Sequence, residues 1–255
     1  MKRKSVFESI LQKVEKGRRQ YWVLLDPDDF SPDKAGRIAR LAESTGGVDA
    51  VLIGGSLLRT NVFEAFVKTV KSRVSIPVIL FPGDATQLSA RADALLYLSL
   101  ISGRNPVNLI GEHVKAAPII RKLGIEPIAT AYMLVESGTV SSVEFMSNTR
   151  PLPRAKPDIA AAHALAAQYM GMKMVYLEAG SGASQTVPCE MVRKVKSYID
   201  IPLIVGGGIH DAPTAQSILA AGADIIVTGN MLQKKGGLER MREIAAVVKR
   251  PGKRL

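Results

Sequence analysis

Eight strongly apolar, β-type runs recur along this chain, and a stretch with helical periodicity separates each from the next. Most runs are apolar at every position, as is typical of strands buried on both faces of a parallel sheet. Eight strands that alternate with helices predict an α/β fold, a single TIM-type (β/α)8 barrel, and 255 residues suit that fold. The predicted strands are Tyr21–Asp26, Val48–Gly54, Pro77–Phe81, Ala94–Leu100, Glu126–Tyr132, Lys173–Glu178, Pro202–Gly206 and Asp224–Thr228.

Four segments depart from this regular pattern within one predicted domain, 1–255. Residues 1–20 predict an N-terminal helix, and residues 233–255 predict a basic C-terminal helix and tail. Between Phe81 and Ala94 there is room for only a short helix, so we expect an irregular third βα unit. The stretch Met133–Lys156 is long for a βα connection and is either a mobile lid or an ordered surface loop.

The charge and the cysteine content restrict the partners and the compartment. The formal net charge of +11 favours anionic partners, namely phosphorylated substrates or, peripherally, an anionic membrane surface. No nucleic-acid-binding motif is recognisable, so we expect no nucleic-acid partner. A single cysteine, Cys189, and no apolar run of membrane-spanning length indicate a cytoplasmic protein.

Three runs of small residues follow consecutive predicted strands near the end of the chain. They are Tyr176–Gly182, Gly206–Ile209 and Thr228–Asn230. In a barrel, such loops meet at the carboxyl ends of the strands, where substrates bind. Glycine lets backbone N–H groups approach an anion closely, and the N-terminus of the following helix adds positive potential. We therefore expect a phosphate to bind through Gly207, Gly208, Gly229 and Asn230.

Polar side chains at the ends of the first, second and sixth predicted strands supply candidate chemistry. Asp26 ends the first strand and Ser56 follows the second; a carboxylate plus a hydroxyl suits Mg²⁺, which takes few protein oxygens. Glu178 lies beside the first glycine-rich turn and can deprotonate a substrate hydroxyl. Tyr176 points the same way two residues earlier and can donate to a phosphate or a hydroxyl.

Taken together, seven runs resemble the geranylgeranylglyceryl phosphate synthase family, which includes the related bacterial heptaprenylglyceryl phosphate synthases. The runs are Leu-Leu-Asp-Pro-Asp (24–28), Ile-Gly-Gly-Ser (53–56), Leu-Phe-Pro-Gly (80–83), Ile-Ser-Gly-Arg-Asn-Pro (101–106), Tyr-Leu-Glu-Ala-Gly-Ser-Gly (176–182), Val-Gly-Gly-Gly-Ile (205–209) and Val-Thr-Gly-Asn (227–230). The runs at 101–106 and 176–182 are specific to this family, whereas the glycine-rich runs alone are not, and the resemblance extends from about Tyr21 to Leu232.

The resemblance implies prenyl transfer from a polyprenyl diphosphate, geranylgeranyl diphosphate in the family's name, to sn-glycerol 1-phosphate, with Mg²⁺ and release of diphosphate. It implies Asp26 and Ser56 as metal ligands and Glu178 as the base. The residues it implies for glycerol phosphate are Tyr176, Leu177, Glu178, Ala179, Gly180, Ser181, Gly182, Gly207, Gly208, Gly229 and Asn230. Arg104 and Asn105, which follow the fourth strand, are candidate diphosphate contacts.

Several alternatives stay open on the residues alone. The chain can be another phosphate-binding barrel enzyme, such as an isomerase or synthase, or a non-catalytic scaffold. Leu57, Leu58, Tyr97 and Tyr132 either line a prenyl groove or pack in the core. Family members form dimers and larger rings, so we expect a homo-oligomer, a dimer or a hexamer.

Overall fold

Eight parallel strands close into a barrel in the order of the chain, β1 to β8, and β8 pairs with β1. The computed structural model describes residues 5–249. All eight predicted strands are present, with ends displaced by no more than a few residues, and the TIM-barrel prediction is confirmed. The strands are β1 Gln20–Leu25, β2 Ala50–Ile53, β3 Val78–Leu80, β4 Ala94–Leu100, β5 Glu126–Leu134, β6 Met174–Glu178, β7 Leu203–Gly206 and β8 Ile225–Thr228.

Helices surround the barrel, and several begin at a residue that caps free backbone N–H groups. The side chains of Ser5, Ser31 and Asp211 each accept a hydrogen bond from an N–H in the first helical turn. The helices are α1 Val6–Glu15, α2 Pro32–Ser44, α3 Phe63–Lys71, α4 Glu112–Leu123, α5 Ser142–Ser147, α6 Pro157–Tyr169, α7 Cys189–Lys196, α8 Ala212–Ala220 and α9 Gly237–Val248. A π-helical turn, Val107–Gly111, precedes α4, and a 3-10 turn, Asn230–Gln233, follows β8.

Two apolar layers hold the barrel together because alternate residues of each strand point to opposite faces. In β6, Met174 and Tyr176 point into the barrel, whereas Val175 and Leu177 point toward the helices. Both faces are buried, which explains why the strands are continuously apolar in the sequence. The helix α1 covers the amino end of the barrel, and the carboxyl end is the one at which the pocket opens.

The N-terminal helix closes the barrel at the amino ends of its strands. Val6 and Ile10 of α1 join the inner apolar layer. The backbone N–H groups of Val6 and Phe7 donate to the Glu126 carboxylate at the start of β5, at 2.6 and 3.1 Å. The helix predicted within 1–20 is therefore present, and α9 accounts for the helix predicted within 233–255. Residues 1–4 and 250–255, which carry much of the terminal basic charge, lie outside the described residues.

The third βα unit is irregular, as the sequence predicts. Residues 81–93, all of them described, contain no helix, so the short helix that the spacing allows does not form. No helix of this unit packs on β4, and Tyr97 and Ser99 of β4 contact His113 of α4. The missing helix leaves the outer face of β4 partly uncovered, and this gap becomes one wall of the site described below.

The long segment Met133–Lys156 lies over the carboxyl end of the barrel, where its Val143 lines the pocket. Its two ends are joined by a parallel bridge between Val135 and Leu152, and α5 lies between them. Glu136 N–H donates to the Leu152 carbonyl at 2.9 Å, and Leu152 N–H donates to the Leu134 carbonyl at 2.8 Å. No helix in the described part of the chain is long and apolar enough to cross a membrane.

Candidate active site

A polar pocket occupies the carboxyl end of the barrel and brings together predicted residues from the ends of five strands, β1, β2, β6, β7 and β8. The strand register explains this, because Leu134 pairs with Glu178, Glu178 with Gly206, and Gly206 with Val227. The ends of β5 to β8 therefore lie side by side. The predicted residues that line the pocket are Asp26, Ser56, Tyr176, Glu178, Gly180, Ser181, Gly182, Gly207, Gly208, Gly229 and Asn230.

Two glycines in the loop after β7 are required by the space around them. Gly207 has φ of 78°, and a Cβ there would lie 2.4 Å from Glu178 Oε1. Gly208 has φ of 68°, and a Cβ there would lie 2.5 Å from the Thr186 nitrogen. Residues with a Cβ pay a steric cost in this left-handed region and would also collide here. These loops therefore expose backbone rather than side chains to the pocket, which is the arrangement that an anion cradle needs.

A hydrogen bond links the loop after β6 to the loop after β8. Ser181 Oγ donates to Asn230 Oδ1 at 2.9 Å. Leu177 and Ala179 are buried among the outer apolar residues between barrel and helices, so only their backbone is near the pocket. Residues of all three predicted small-residue loops therefore line one pocket.

Glu178 is a buried carboxyl at the inner edge of this surface, with only 6% of the residue exposed. Its Oε1 accepts a hydrogen bond from Gly180 N–H at 2.7 Å. Burial raises the pKa of Glu178 to about 7, and the hydrogen bonds from Gly180 and Tyr176 offset only part of that effect. A carboxyl with a pKa near 7 is suited to take a proton from a hydroxyl at physiological pH.

Asp26 and Ser56 face the pocket from the loops after β1 and β2. Asp26 packs directly on the backbone beside Ser56, since a Cβ on Gly55 would lie 2.5 Å from Asp26 Oδ2. Burial raises the pKa of Asp26 to about 6, and the neighbouring Asp28 and Asp29 charges add to this. A cluster of carboxylates at the mouth of a pocket is an environment in which a divalent cation can bind. The pair offers two oxygen donors, which fits Mg²⁺ with water and substrate oxygens as its remaining ligands.

An apolar groove opens from the polar pocket and runs outward along β4. The two cavities share a wall that comprises Gly55, Ser56, Phe81, Tyr132 and Val143. The irregular third unit forms one side of the groove, and α4, the π-helical turn and α5 form the other. The side chains that line this apolar stretch include Leu88, Leu95, Leu96, Leu98, Val107, Ala116 and Met146.

Three aromatic rings meet where the pocket joins the groove. Phe81 and Tyr176 stack with ring centroids 5.4 Å apart, and Tyr132 lies 5.9 Å from Phe81 and 5.5 Å from Tyr176. They come from the ends of β3, β5 and β6, which are far apart in the sequence. The sequence analysis proposed Tyr132 and Tyr176 as candidate site residues but not Phe81. Its position directly after a predicted strand and before Pro82 could have indicated that Phe81 lies at the site.

Tyr97 and His113 form one part of the groove lining. Tyr97 Oη donates to the His113 carbonyl at 2.7 Å, and the two rings are perpendicular with centroids 4.5 Å apart. His113 is buried and its Nε2 lies 2.9 Å from Ser99 Oγ. Burial lowers the pKa of His113, which favours the neutral imidazole. Among the groove candidates, Tyr97 and Tyr132 line it, whereas Leu57 is exposed and the lining includes neither Leu57 nor Leu58.

Arg104 and Asn105 occupy the loop after β4 but are outside the lining of both cavities in the described part of the chain. Arg104 Nη1 donates to the Gly103 carbonyl at 3.1 Å, and its Nη2 lies 3.4 Å from His163 Nε2. Asn105 Nδ2 donates to the Ser147 carbonyl at 2.7 Å. Asn105 thus fastens α5 to this loop, and contact of either residue with diphosphate stays a prediction.

Comparisons with known proteins agree with this geometry. The sequence profile of the PcrB family matches residues 12–249. The chain is 49% identical over 235 residues to a geranylgeranylglyceryl phosphate synthase of Pyrococcus horikoshii, which covers 92% of this chain and 91% of the relative. It is 44% identical to one of Chitinophaga pinensis over 244 residues, 95% of each chain.

A solved structure is similar over almost the whole fold. It is the crystal structure of (S)-3-O-geranylgeranylglyceryl phosphate synthase from Thermoplasma acidophilum in complex with its substrate sn-glycerol-1-phosphate. The TM-score is 0.91 with 34% identity, and the match covers 97% of this chain and 99% of that one. Because both the family profile and these relatives extend over nearly its full length, the chain belongs to the PcrB family, in which its relatives are geranylgeranylglyceryl phosphate synthases.

Proposed function

We propose that this chain joins sn-glycerol 1-phosphate to a polyprenyl diphosphate, geranylgeranyl diphosphate in the first instance, to form an ether and release diphosphate. The observation that carries the proposal is the direct junction between a backbone-lined polar pocket and an apolar groove. Such a junction suits one small phosphorylated substrate and one with a long hydrocarbon tail. The relatives named geranylgeranylglyceryl phosphate synthase support the same activity.

Glycerol phosphate binds in the polar pocket in this proposal. The N–H groups of the loops after β6, β7 and β8 hold its phosphate, and the Ser181–Asn230 hydrogen bond keeps two of these loops together. The buried Tyr176 and Glu178 then face the glycerol hydroxyls. This arrangement places the reacting hydroxyl toward the aromatic junction, and positioning of this kind accounts for much of the rate in a two-substrate reaction.

Glu178 is the general base in the proposed reaction. Its ionised carboxylate accepts the proton of the C3 hydroxyl while the hydroxyl oxygen bonds to C1 of the prenyl group. The C1–O bond to diphosphate breaks, and the electron pair leaves with the diphosphate. The pKa of about 7 supports this role, because a base near the working pH is ionised yet still binds a proton.

The prenyl donor lies across the junction, with its diphosphate toward Asp26 and Ser56 and its tail in the groove. Mg²⁺, held by these two residues, supplies Lewis-acid stabilisation of the diphosphate leaving group when it is bound. Positive charge develops on the allylic carbon as the C–O bond breaks. The rings of Phe81, Tyr132 and Tyr176 surround this position, and aromatic faces stabilise a nearby cation.

The cysteine content and the exposed apolar surface support a compartment and an assembly state. We infer a cytoplasmic enzyme, because the single cysteine suits a reducing compartment. A homo-oligomer is supported by exposed apolar side chains on the outer surface of α6 and the residue after it, Ile159, Tyr169 and Met170. Light scattering of the purified chain measures the number of copies.

The experiment is transfer of radiolabelled sn-glycerol 1-phosphate into an organic-soluble product. The assay contains Mg²⁺ and one of a series of prenyl diphosphates of increasing length. We expect label in the organic phase with a preferred chain length, and none when the prenyl diphosphate or Mg²⁺ is omitted. Labelled glycerol phosphate that binds but never enters the organic phase with any donor would refute prenyl transfer.

A further inference from the structure

The two cavities contain a charge imbalance. The carboxyl groups in their linings are Asp26, Asp29, Asp84, Glu112 and Glu178, whereas the described lining residues include no lysine and no arginine. Under the proposed function, both substrates are anionic. A phosphomonoester carries about two negative charges at neutral pH, and a diphosphate carries at least as many. Backbone N–H groups and one divalent cation neutralise only part of this negative charge, and the rest has no cationic side chain in the lining to pair with.

Arg59 stands at the rim of the polar pocket, where the loops after β1 and β2 meet. It follows Ser56 by three residues, and its partner Asp28 lies between Asp26 and Asp29, both of which line the pocket. Arg59 Nε lies 3.1 Å from Asp28 Oδ2, so the guanidinium is beside the loop that carries Asp26 and Asp29.

Asp28 holds Arg59 in a fixed place without using all of its donors. The backbone N–H of Arg59 donates to both Asp28 oxygens, at 3.2 and 3.0 Å, and its Nε donates to Oδ2 at 3.1 Å. The terminal Nη groups make no hydrogen bond within the described part of the chain. The Asp28 side chain is 6% exposed, whereas that of Arg59 is 72% exposed. An anchored guanidinium thus presents its outer edge to the solvent at the mouth.

We propose that Arg59 binds the diphosphate of the prenyl donor through its two Nη groups, with Asp28 as the residue that positions it. This inference rests on the proposed function for the identity of the donor. A guanidinium forms two parallel hydrogen bonds with phosphate oxygens, and such charge-assisted pairs are stronger than neutral ones. Anchoring by Nε and the backbone N–H reduces the conformational entropy lost when the ligand binds.

Inorganic pyrophosphate with Mg²⁺ is the probe that tests this site without catalysis. Arg59→Gln should raise the pyrophosphate dissociation constant, measured by calorimetry, about 10- to 100-fold, as expected for loss of a bidentate charged contact. Arg59→Lys should fall between wild type and Arg59→Gln, because an ammonium cannot form the bidentate contact. Arg91→Gln is the matched control, since Arg91 is exposed and pairs with Glu64 of α3, a helix that contributes no residue to either cavity lining.

Steady-state kinetics then assign the site to one substrate. In Arg59→Gln, the KM for geranylgeranyl diphosphate should rise by a similar factor, while the KM for sn-glycerol 1-phosphate stays within about twofold. Wild-type pyrophosphate affinity in an Arg59→Gln protein with an unchanged melting temperature would overturn the inference. If the wild type makes no ether product, the proposed function fails separately, and pyrophosphate binding still decides the role of Arg59.

Discussion

The Glu178→Gln substitution separates catalysis from the cost of burying a charge. Glutamine keeps the size of the side chain and an oxygen that can accept the Gly180 N–H, but it cannot take a proton from a hydroxyl. A positioned general base contributes about 100- to 10,000-fold to a rate. We therefore expect kcat to fall by about that factor in the radiolabel assay, with the KM for glycerol phosphate little changed.

The same substitution has a pH-dependent effect on stability. The pKa of Glu178 is about 7 in the folded protein against an ordinary value of 4.5, so the native state retains a proton that the unfolded chain has lost between these values. Stability therefore falls as the pH rises from about 4.5 to about 7 and is constant above that range. At about 1.4 kcal/mol for each pH unit, this amounts to about 3 kcal/mol.

Glutamine at position 178 has no proton to lose, so this pH-dependent loss is absent. The free energy of unfolding of Glu178→Gln minus that of wild type should therefore be about 3 kcal/mol larger at pH 8 than at pH 5. For a chain of this size, that difference corresponds to roughly 6–12 °C in melting temperature. Thermal melts at the two pH values measure it, and no substrate is present to titrate.

Glu136→Gln is the control, because Glu136 is an exposed carboxyl in the segment that covers the site. It should show near wild-type turnover. If wild type and Glu178→Gln differ by the same amount at pH 5 and pH 8, burial does not raise this pKa. If Glu178→Gln retains full kcat, Glu178 is not the base.

Three further predictions address the rest of the site. Gly207→Ala should lower the free energy of unfolding by about 1–3 kcal/mol and raise the KM for glycerol phosphate, because the new Cβ would lie 2.4 Å from Glu178 Oε1. Gly124→Ala is the control: Gly124 has φ of 67° and nothing within 4 Å of a new Cβ, so this substitution should affect stability alone. Tyr97→Ala should raise kcat/KM for longer prenyl donors, relative to shorter ones, by at least about tenfold. Tyr97 separates the groove from a neighbouring cavity, and each methylene buried there contributes about 0.8 kcal/mol. Tyr97→Phe should leave the preferred length of the prenyl donor unchanged. Asp26→Asn should raise the Mg²⁺ concentration needed for half-maximal activity by at least about tenfold, and an unchanged Mg²⁺ titration would remove Asp26 from the metal site.

The periodicity of the chain was sufficient to predict the fold. Continuous apolar runs at β1 to β8, separated by helical stretches, allow few arrangements other than a closed parallel barrel, and the barrel is present. The place of the site followed from the same argument. Carboxyl ends of parallel strands must meet at one end of a barrel, so the glycine-rich runs after β6, β7 and β8 had to form one surface.

Tertiary contacts alone decided the environment of the reacting groups. The pKa of Glu178 depends on how completely neighbouring strands exclude water from its carboxyl, and no local sequence pattern encodes that burial. The aromatic junction unites Phe81, Tyr132 and Tyr176 from three separate strands. Its geometry depends on the strand register and on how the barrel closes.

The groove and the Asp28–Arg59 pair show the same division. The sequence predicted an irregular third unit, but the cavity exists because no helix covers β4 there and α4 and α5 form the opposite wall. Arg59 read alone is one of many basic residues in a chain of net charge +11. Its anchoring to Asp28 joins positions 31 residues apart, and such a contact arises only when two strand-end loops meet in the folded barrel. Local periodicity thus determined which elements form and where the site lies, whereas burial and long-range contacts determined the chemistry that the site can perform.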